Sequence, residues 1–183
     1  MRTAIVLATI AVLALAAASP LAAQGPATHV GPVVPHFGRV FDVPDAALVP
    51  PRDQDLKLRF DVSAGAEPGA VNTGFETVAR FLNMHGRAGV PREHLHTALV
   101  VHGTAGKDTL TAEAYRRRYG KDNPNLALLD ELKAAGVRIY LCGQTAAARN
   151  LPRGEVTPAA AFALSAMTAH LALDREGYAL NPF

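Results

Sequence analysis

The sequence predicts an α/β fold: a three-layer sandwich with a mainly parallel sheet of about five strands and helices on both faces. Three observations predict it. Strand patterns alternate with helix patterns from Leu56 onward. The strand pattern at residues 95–103 is apolar through its centre, as is typical of parallel strands covered on both faces. Most helix patterns have a capping residue or a closing glycine at an end. The 183-residue length suits one domain.

The N-terminal segment 1–23 has the pattern of a signal peptide. Arg2 is basic, residues 4–18 are apolar apart from one threonine, and small residues precede Gln24, where we expect cleavage. The apolar run is short for a membrane span, and no second span follows cleavage. The prediction is export to the periplasm; an uncleaved N-terminal anchor is the alternative.

Residues 24–55 form a predicted Pro/Gly-rich N-terminal arm that leads into the domain at 56–183. Its prolines remove backbone donors and fix φ, so no long helix is expected. The segment "GRVFDVP" (38–44) suggests one short strand. We expect the arm to cover a sheet edge or a neighbouring subunit.

The domain begins with "LKLRFDVS" (56–63), whose apolar and polar residues alternate and predict a strand near a sheet edge. "NTGFETVARFLNMHG" then predicts a helix that Asn72 or Thr73 caps. Its apolar residues share one face, at i, i+3, i+4 and i+7. They are Phe75, Val78, Ala79 and Leu82.

A second strand is predicted over "LHTALVVHG" (95–103), and two helices follow it. "DTLTAEAYRRRYG" ends at Gly120, a residue typical of helix C-termini. "NPNLALLDELKAAG" has Asn123 as a predicted N-cap, Pro124 at the first helical position and Gly136 as its end.

The third strand, "VRIYLCG", is followed by a helix that begins in "QTAAARN". "EVTPAAAFAL" indicates a further strand, although Pro158 favours an edge position or an irregular start. "SAMTAHLALDREG" predicts a helix, and "YALNPF" predicts a last short strand.

Two polar side chains end predicted parallel strands: Cys142, the only cysteine in the chain, and His102. Ligands of open α/β sheets bind outside the carboxyl ends of the strands. Cys142 also precedes a helix, whose unpaired N–H groups favour a thiolate and lower a thiol pKa. An inert, buried cysteine is the alternative, and a structural role is the alternative for His102.

The residues after these two positions are the candidate ligand-binding residues. Gly143 would leave space for a ligand to approach the sulfur, and Gln144 or Thr145 would donate hydrogen bonds to what the sulfur carries. Gly103 follows His102 at the end of the other strand.

The order of these segments resembles the DsrE-like family of sulfur-relay subunits related to DsrE and DsrF, in its exported branch. The most specific segments are "AAGVRIYLCGQT" and the terminal "SAMTAH…EGYALNPF", with "VVHG" and "NPNLALLDELKAAGV" in support. The resemblance covers residues 56–183. It implies a small three-layer α/β domain, assembly into trimers or hexamers, and a cysteine, here Cys142, that receives sulfane sulfur as a persulfide. His102 also fits the pattern of that branch, as a neighbour of the cysteine.

The leading hypothesis is therefore an exported sulfur-handling protein that exchanges sulfur with donor and acceptor proteins or small sulfur compounds. Whether it acts as a sulfurtransferase or as a carrier stays open, and no cofactor is required. The alternative is a non-catalytic oligomeric module for small-ligand binding or assembly, with a structural cysteine. An exposed apolar patch on the helix bearing Phe75 and Leu82 would favour that alternative. A third hypothesis, a redox partner acting through an intermolecular disulfide, lacks a resolving thiol in the chain.

Other chemistries have weaker support. The formal charge of +2 is too small to imply nucleic acid, and the basic "RRRYGK" suits a solvated helix end. "GTAGKDT" (103–109) fails as a phosphate loop, because Val101 replaces the first glycine and Asp108 the final Ser or Thr. "HLH" (94–96) lacks the further ligands of a metal site, so no metal is predicted.

Overall fold

The computed structural model describes residues 27–181, so the predicted signal peptide and the cleavage site before Gln24 lie outside it. Five strands form one parallel sheet in the order β6-β5-β4-β3-β7. They are β3 (Leu56–Val62), β4 (Leu95–Val101), β5 (Arg138–Cys142), β6 (Ala161–Ala163) and β7 (Ala179–Leu180). A separate antiparallel ribbon joins β1 (Thr28–His29) to β2 (Val40–Phe41). The predicted α/β class is confirmed.

The helices cover both faces of the sheet, as in a three-layer sandwich. They are α1 (Thr73–Arg87), α2 (Ala112–Tyr119), α3 (Asn125–Ala134), α4 (Gly143–Ala148) and α5 (Ala166–Arg175). Three 3₁₀ helices lie at Arg92–His94, Gly103–Thr109 and Arg153–Glu155. No helix within residues 27–181 is long and apolar enough to cross a membrane.

Side-chain alternation along the central strand β4 divides the core in two. Leu99 and Val101 pack in the large cluster with α1, α2 and α3. Ala98 and Val100 pack in a smaller cluster with α5. Because successive side chains of a strand point to opposite faces, a strand covered on both sides must be apolar throughout. This explains the unbroken apolar run from which the strand was predicted.

The predicted helix starts are correct to within a residue or two, apart from α2. Asn72 caps α1, and its Oδ1 accepts a hydrogen bond from the N–H of Gly74 at 2.9 Å. The helix α3 begins at Asn125, after Pro124, and the Asn123 side chain accepts from the N–H of Asn125 at 3.0 Å. Pro124 is therefore the N-cap and not the first helical residue. Asn123, the predicted N-cap, lies one residue outside that position, although its side chain still bonds the first helical N–H.

Two elements are shorter than their sequence patterns. The segment 103–109 forms a 3₁₀ helix, so α2 begins only after Thr111, whose side chain accepts from the N–H of Ala114. Gly120 ends α2 in the left-handed region, at φ 66°. The strand β6 keeps only three residues, at the sheet edge. The irregular start that Pro158 predicted is therefore confirmed.

The described part of the arm packs on helices of the domain, mainly on α1. The side-chain amide of the fully buried Asn83 in α1 makes hydrogen bonds with five backbone groups of the arm. His36 adds a bond to Glu131 of α3 at 2.7 Å. The strands β1 and β2 pair with each other and join no strand of the sheet. The predicted short strand in 38–44 is confirmed as β2, and contact with a neighbouring subunit stays a prediction.

The apolar face of α1 is fully buried. Phe75 and Leu82 are 0% exposed and belong to the large cluster. The last turn of α1 nevertheless carries an exposed apolar residue, Met84, which lines a surface cavity with Leu48 and Val49 of the arm. An exposed apolar patch that includes this helix is therefore present, and it favours the assembly alternative.

Candidate functional site

The candidate site lies at the carboxyl edge of the sheet, where β5 ends and α4 begins. Cys142 is the last residue of β5 and the N-cap of α4. Its Sγ accepts a hydrogen bond from the N–H of Thr145 at 3.4 Å. The short loop-free connection places the sulfur where the first turn of α4 presents N–H groups that lack a partner in the helix.

Four polar groups around the sulfur outweigh the effect of its burial. Burial raises the pKa of the Cys142 thiol, because it disfavours the thiolate. Hydrogen bonds to the sulfur lower this pKa. They come from the N–H and hydroxyl of Thr145 and from the N–H groups of Ala166 and Gln144. The net result is a pKa below the ordinary value of a thiol.

The group from Ala166 brings a second helix to the sulfur. Ala166 is the first residue of α5, which follows its N-cap Ser165. The start of α5 therefore meets the start of α4 at one atom, and both helix dipoles favour negative charge there. Strand order is needed to see this arrangement, because β6 and α5 follow β5 only after a long stretch of chain.

The sulfur is nonetheless nearly enclosed. Cys142 is 5% exposed, whereas its neighbour Gln144 is exposed and Thr145 is partly buried. The residue thus has the burial expected of a structural cysteine and the lowered pKa expected of a reactive one. A small reagent is favoured over a bulky one.

Thr145 connects the two predicted halves of the site. Its N–H reaches the sulfur, while its Oγ1 accepts a hydrogen bond from the N–H of Gly103 at 3.1 Å. Gly103 has φ 55°, and a Cβ there would lie 2.7 Å from the carbonyl oxygen of Ser63. Gly103 and Thr145 therefore hold the strand ends together, and their predicted roles in ligand binding stay predictions.

His102 lies at the same edge as Cys142. The parallel strands β4 and β5 pair Val101 with Leu141, so the next residues, His102 and Cys142, are neighbours across the strands. Nε2 of the His102 ring lies 2.9 Å from Oδ1 of Asp61. Within residues 27–181, the structure describes no hydrogen bond between this ring and the sulfur. The predicted help from His102 is therefore not a direct contact here.

Asp61 and His170 were missing from the predicted site. Asp61 is the penultimate residue of β3, and His170 lies in α5 with its Nε2 2.9 Å from the same Oδ1 of Asp61. Strand alternation in "RFDVS" would have assigned Asp61 to the face opposite Phe60 and Val62. Only the tertiary structure brings His170, more than a hundred residues away, to that carboxylate.

Residues 59–182 match the family model described as the DsrE/DsrF-like family. The chain belongs to this family. Because DsrE and DsrF are sulfur-relay subunits, membership suggests a sulfur-relay-like role. The match is to the family as a whole, so the exported branch stays a prediction.

The fold of this DsrE/DsrF-like protein also occurs in a solved structure. This chain is similar to a protein of unknown function, MTH1491 from Methanobacterium thermoautotrophicum, with 16% sequence identity and a TM-score of 0.52. The similarity covers 69% of this chain and 98% of that chain, and at this identity it shows the fold alone. Comparison with curated proteins gave no match.

Elsewhere in the DsrE/DsrF-like domain, the "HLH" histidines contact an aspartate. His94 and His96 lie 3.0 and 3.2 Å from Oδ1 of Asp55, just before β3. Among residues 27–181, no group of three or more His, Cys, Asp or Glu side chains is arranged to hold a metal ion. Asp55 and its two histidines form a surface ion-pair cluster at the amino edge of the sheet, opposite the candidate site.

Because Gly143 has no side chain, the start of α4 packs closely against the backbone at the end of β6. A Cβ at this position would lie 2.7 Å from the carbonyl oxygen of Ala163 and 3.1 Å from that of Leu164. The sequence predicted that the missing side chain leaves room for a ligand; in the structure, carbonyls of this chain take that room.

We expect Gly143→Ala to displace the first turn of α4 and lower stability by about 1–3 kcal/mol, because the added methyl overlaps backbone atoms. As the N–H groups move off the sulfur, the pKa of Cys142 should rise. The pH dependence of thiol alkylation measures the pKa, and urea unfolding measures the stability. Gly154→Ala is the matched control, because a Cβ there meets nothing within 4 Å. An unchanged alkylation profile in Gly143→Ala would contradict the prediction.

Proposed function

We propose that this protein carries sulfane sulfur as a persulfide on Cys142 and passes it to an acceptor. One observation supports the proposal above the others: the sulfur ends a parallel strand at the starts of two helices, and their N–H groups lower its pKa. A thiolate is the form of cysteine that attacks sulfur.

The proposed step is redox-neutral. The Cys142 thiolate attacks the outer sulfur of a persulfide R–S–SH, the S–S bond of the donor breaks, and R–S⁻ leaves. Cys142 then carries a protonated persulfide, Cys142–S–S–H. Its proton passes to R–S⁻, so the products are R–SH and Cys142–S–S⁻. Delivery to an acceptor thiolate is the same exchange in reverse.

The surroundings of the sulfur suit both states of this cycle. The N–H groups of Thr145, Gln144 and Ala166 stabilise the thiolate before transfer and the persulfide anion after it. One cysteine is sufficient, because the sulfur leaves by exchange with an external thiol. No metal or organic cofactor enters the step.

Intact-protein mass spectrometry tests the proposal. The chain from residue 24 onward is incubated with polysulfide beside Cys142→Ala. We expect a gain of one or more sulfur atoms that reductant reverses and that is absent in Cys142→Ala. No gain in the parent protein, with a thiol that also resists iodoacetamide, would contradict the proposal and leave Cys142 structural.

The cellular context of the proposal is export. We propose that segment 1–23 directs the chain to the periplasm, where donor and acceptor are proteins or small sulfur compounds. The supporting pattern is a basic residue, an apolar run and small residues before Gln24. N-terminal sequencing of periplasmic protein should begin at Gln24. A chain that keeps Met1 in the membrane fraction would support the uncleaved anchor instead.

A second candidate function is an oligomeric binding or assembly module. It is favoured by the 5% exposure of Cys142 and by exposed apolar residues near the site, Leu164, Met167 and Leu171. A trimer or hexamer is the assembly that the family resemblance implies. Light scattering on the parent and Cys142→Ser separates the two functions. The module predicts that assembly survives while no sulfur is ever bound.

A further inference from the structure

Asp61, His102 and Cys142 end three neighbouring strands on one face of the sheet. The strand order places β4 between β3 and β5. Successive side chains of a strand point to opposite faces of the sheet. The residues adjacent to Asp61, His102 and Cys142 are Val62, Val101 and Leu141, and all three belong to the large cluster on the opposite face. The three polar side chains therefore all lie on the face that α5 covers.

The carboxylate of Asp61 fixes the tautomer of two imidazoles. Nε2 of His102 and Nε2 of His170 both lie 2.9 Å from its Oδ1. An ionised carboxylate only accepts hydrogen bonds, so both Nε2 atoms must carry a proton. In each neutral ring, Nδ1 is then the unprotonated nitrogen.

The carboxylate is ionised in this setting. Burial raises the pKa of Asp61, and the hydrogen bonds from His170 and His102 more than offset that effect, so the pKa lies below its usual range. The other charged groups on this face are engaged with one another. Arg59 of β3 pairs with Asp174 of α5 at 2.9 Å and also donates to the carbonyl of Tyr178.

His170 joins Asp61 to the same helix that contacts the sulfur. His170 lies four positions after Ala166, so the two residues lie on one face of α5, one turn apart. The first presents its N–H to Cys142, and the second presents its ring to Asp61. The His170–Asp61 contact therefore ties α5 to β3 one turn beyond the start of the helix.

We propose that Asp61 is a positioning residue for the Cys142 site. It holds His102 in the tautomer whose Nδ1 accepts a proton, and through His170 it holds the start of α5 against the sulfur. This inference rests on the proposed sulfur transfer at Cys142. In that reaction Asp61 acts on the Cys142 thiolate that attacks, by keeping the start of α5 against it, and the proton still passes from the new persulfide to R–S⁻, so that atoms and charge balance.

The opposite edge of the sheet provides a matched control. Asp55 contacts two histidines, His94 and His96, as Asp61 does, and it also adjoins β3. It lies at the amino edge, far along the strand from the thiol. Loss of an aspartate with two histidine partners is thus testable at both ends of one strand.

The experiment compares Asp61→Ala, Asp61→Asn and Asp55→Ala in the chain from residue 24 onward. The first readout is the rate of sulfur uptake from polysulfide across pH 5–9, followed by mass. We expect Asp61→Ala to slow uptake about tenfold or more. Asp61→Asn keeps an oxygen that accepts hydrogen bonds and should fall between Asp61→Ala and the parent. Asp55→Ala should stay within about twofold of the parent, because its cluster lies away from the thiol.

Two further readouts separate this inference from the proposed function. ¹⁵N NMR of the imidazoles reports the tautomer directly, and iodoacetamide alkylation reports thiol reactivity without any sulfur donor. We expect Nε2-protonated rings in the parent, mixed tautomers in Asp61→Ala, and slower alkylation in that variant. Uniform tautomers and parent-like alkylation in a folded Asp61→Ala would overturn the positioning role. If the parent takes up no sulfur but the NMR and alkylation results hold, the proposed function fails and the positioning role stands.

Discussion

Replacement of Asp108 by alanine is expected to lower the free energy of unfolding by about 3–5 kcal/mol. Asp108 is 0% exposed, in the segment that resembles a phosphate loop by sequence. Its carboxylate pairs with Lys107 at 2.7 Å and accepts hydrogen bonds from the Asn72 amide at 2.7 Å and the N–H of Ala66 at 2.9 Å. Removing it takes an acceptor from the partly buried Lys107 cation, the buried Asn72 amide and the partly buried N–H of Ala66.

Urea unfolding of the purified chain measures this loss. Asp122→Ala is the control, because Asp122 also pairs with a basic residue, Arg116, but both side chains are exposed. The control should change stability by less than about 1 kcal/mol. Equal effects of the two substitutions would show that the Asp108 network contributes no more than a surface ion pair.

Asn83→Ala is expected to detach the N-terminal arm and to lower stability by about 3 kcal/mol, the upper range for buried groups left without partners. The Asn83 side chain accepts from the N–H groups of Val33 and Val34 and donates to three carbonyls of the arm. An alanine offers none of these bonds. Besides Asn83, the arm is anchored by the buried Val34 and Val40, far fewer buried residues than the sheet has, so we expect its release to precede unfolding of the sheet.

Limited proteolysis measures the release. In Asn83→Ala, we expect cleavage within residues 27–55 at protease concentrations that leave the parent intact. Arg80→Ala is the control on the same helix, because Arg80 is exposed. An arm equally resistant in the parent and in Asn83→Ala would contradict the prediction.

The fold was predictable because its determinants are local. The apolar strands, the Asn72 cap and the glycine that ends α2 act within a few residues along the chain. The position of Cys142 at a strand end and a helix start follows from the same local patterns. These features need no knowledge of strand order.

The rest of the site depends on contacts between distant segments. The N–H of Ala166 reaches the sulfur only because β6 lies beside β5 and α5 crosses back over the sheet. His170 reaches Asp61 across 109 positions of sequence. A polar residue in a strand pattern, such as Asp61, is predicted to face solvent as long as the helix that covers that face, here α5, is not known.

Buried polar residues were missed for a related reason. Asn83 and Asp108 are both 0% exposed, although each is polar and lies in a segment whose pattern explained it otherwise. Their burial is possible because irregular backbone nearby supplies hydrogen-bond partners. A pattern of apolar spacing contains no information about such partners.

The two cores of unequal size have a consequence for the timing of sulfur exchange. The apolar cluster that packs α5 on the sheet is small, and its buried members are Ala98, Val100, Ala169, Leu173 and Tyr178. Local opening requires the least free energy where least apolar surface is buried. The amides of α5 should therefore exchange with deuterium before those of β4. Each such local opening of α5 would expose the Cys142 sulfur while the rest of the domain stays folded. The frequency of this opening would then limit how often a sulfur donor reaches the thiol.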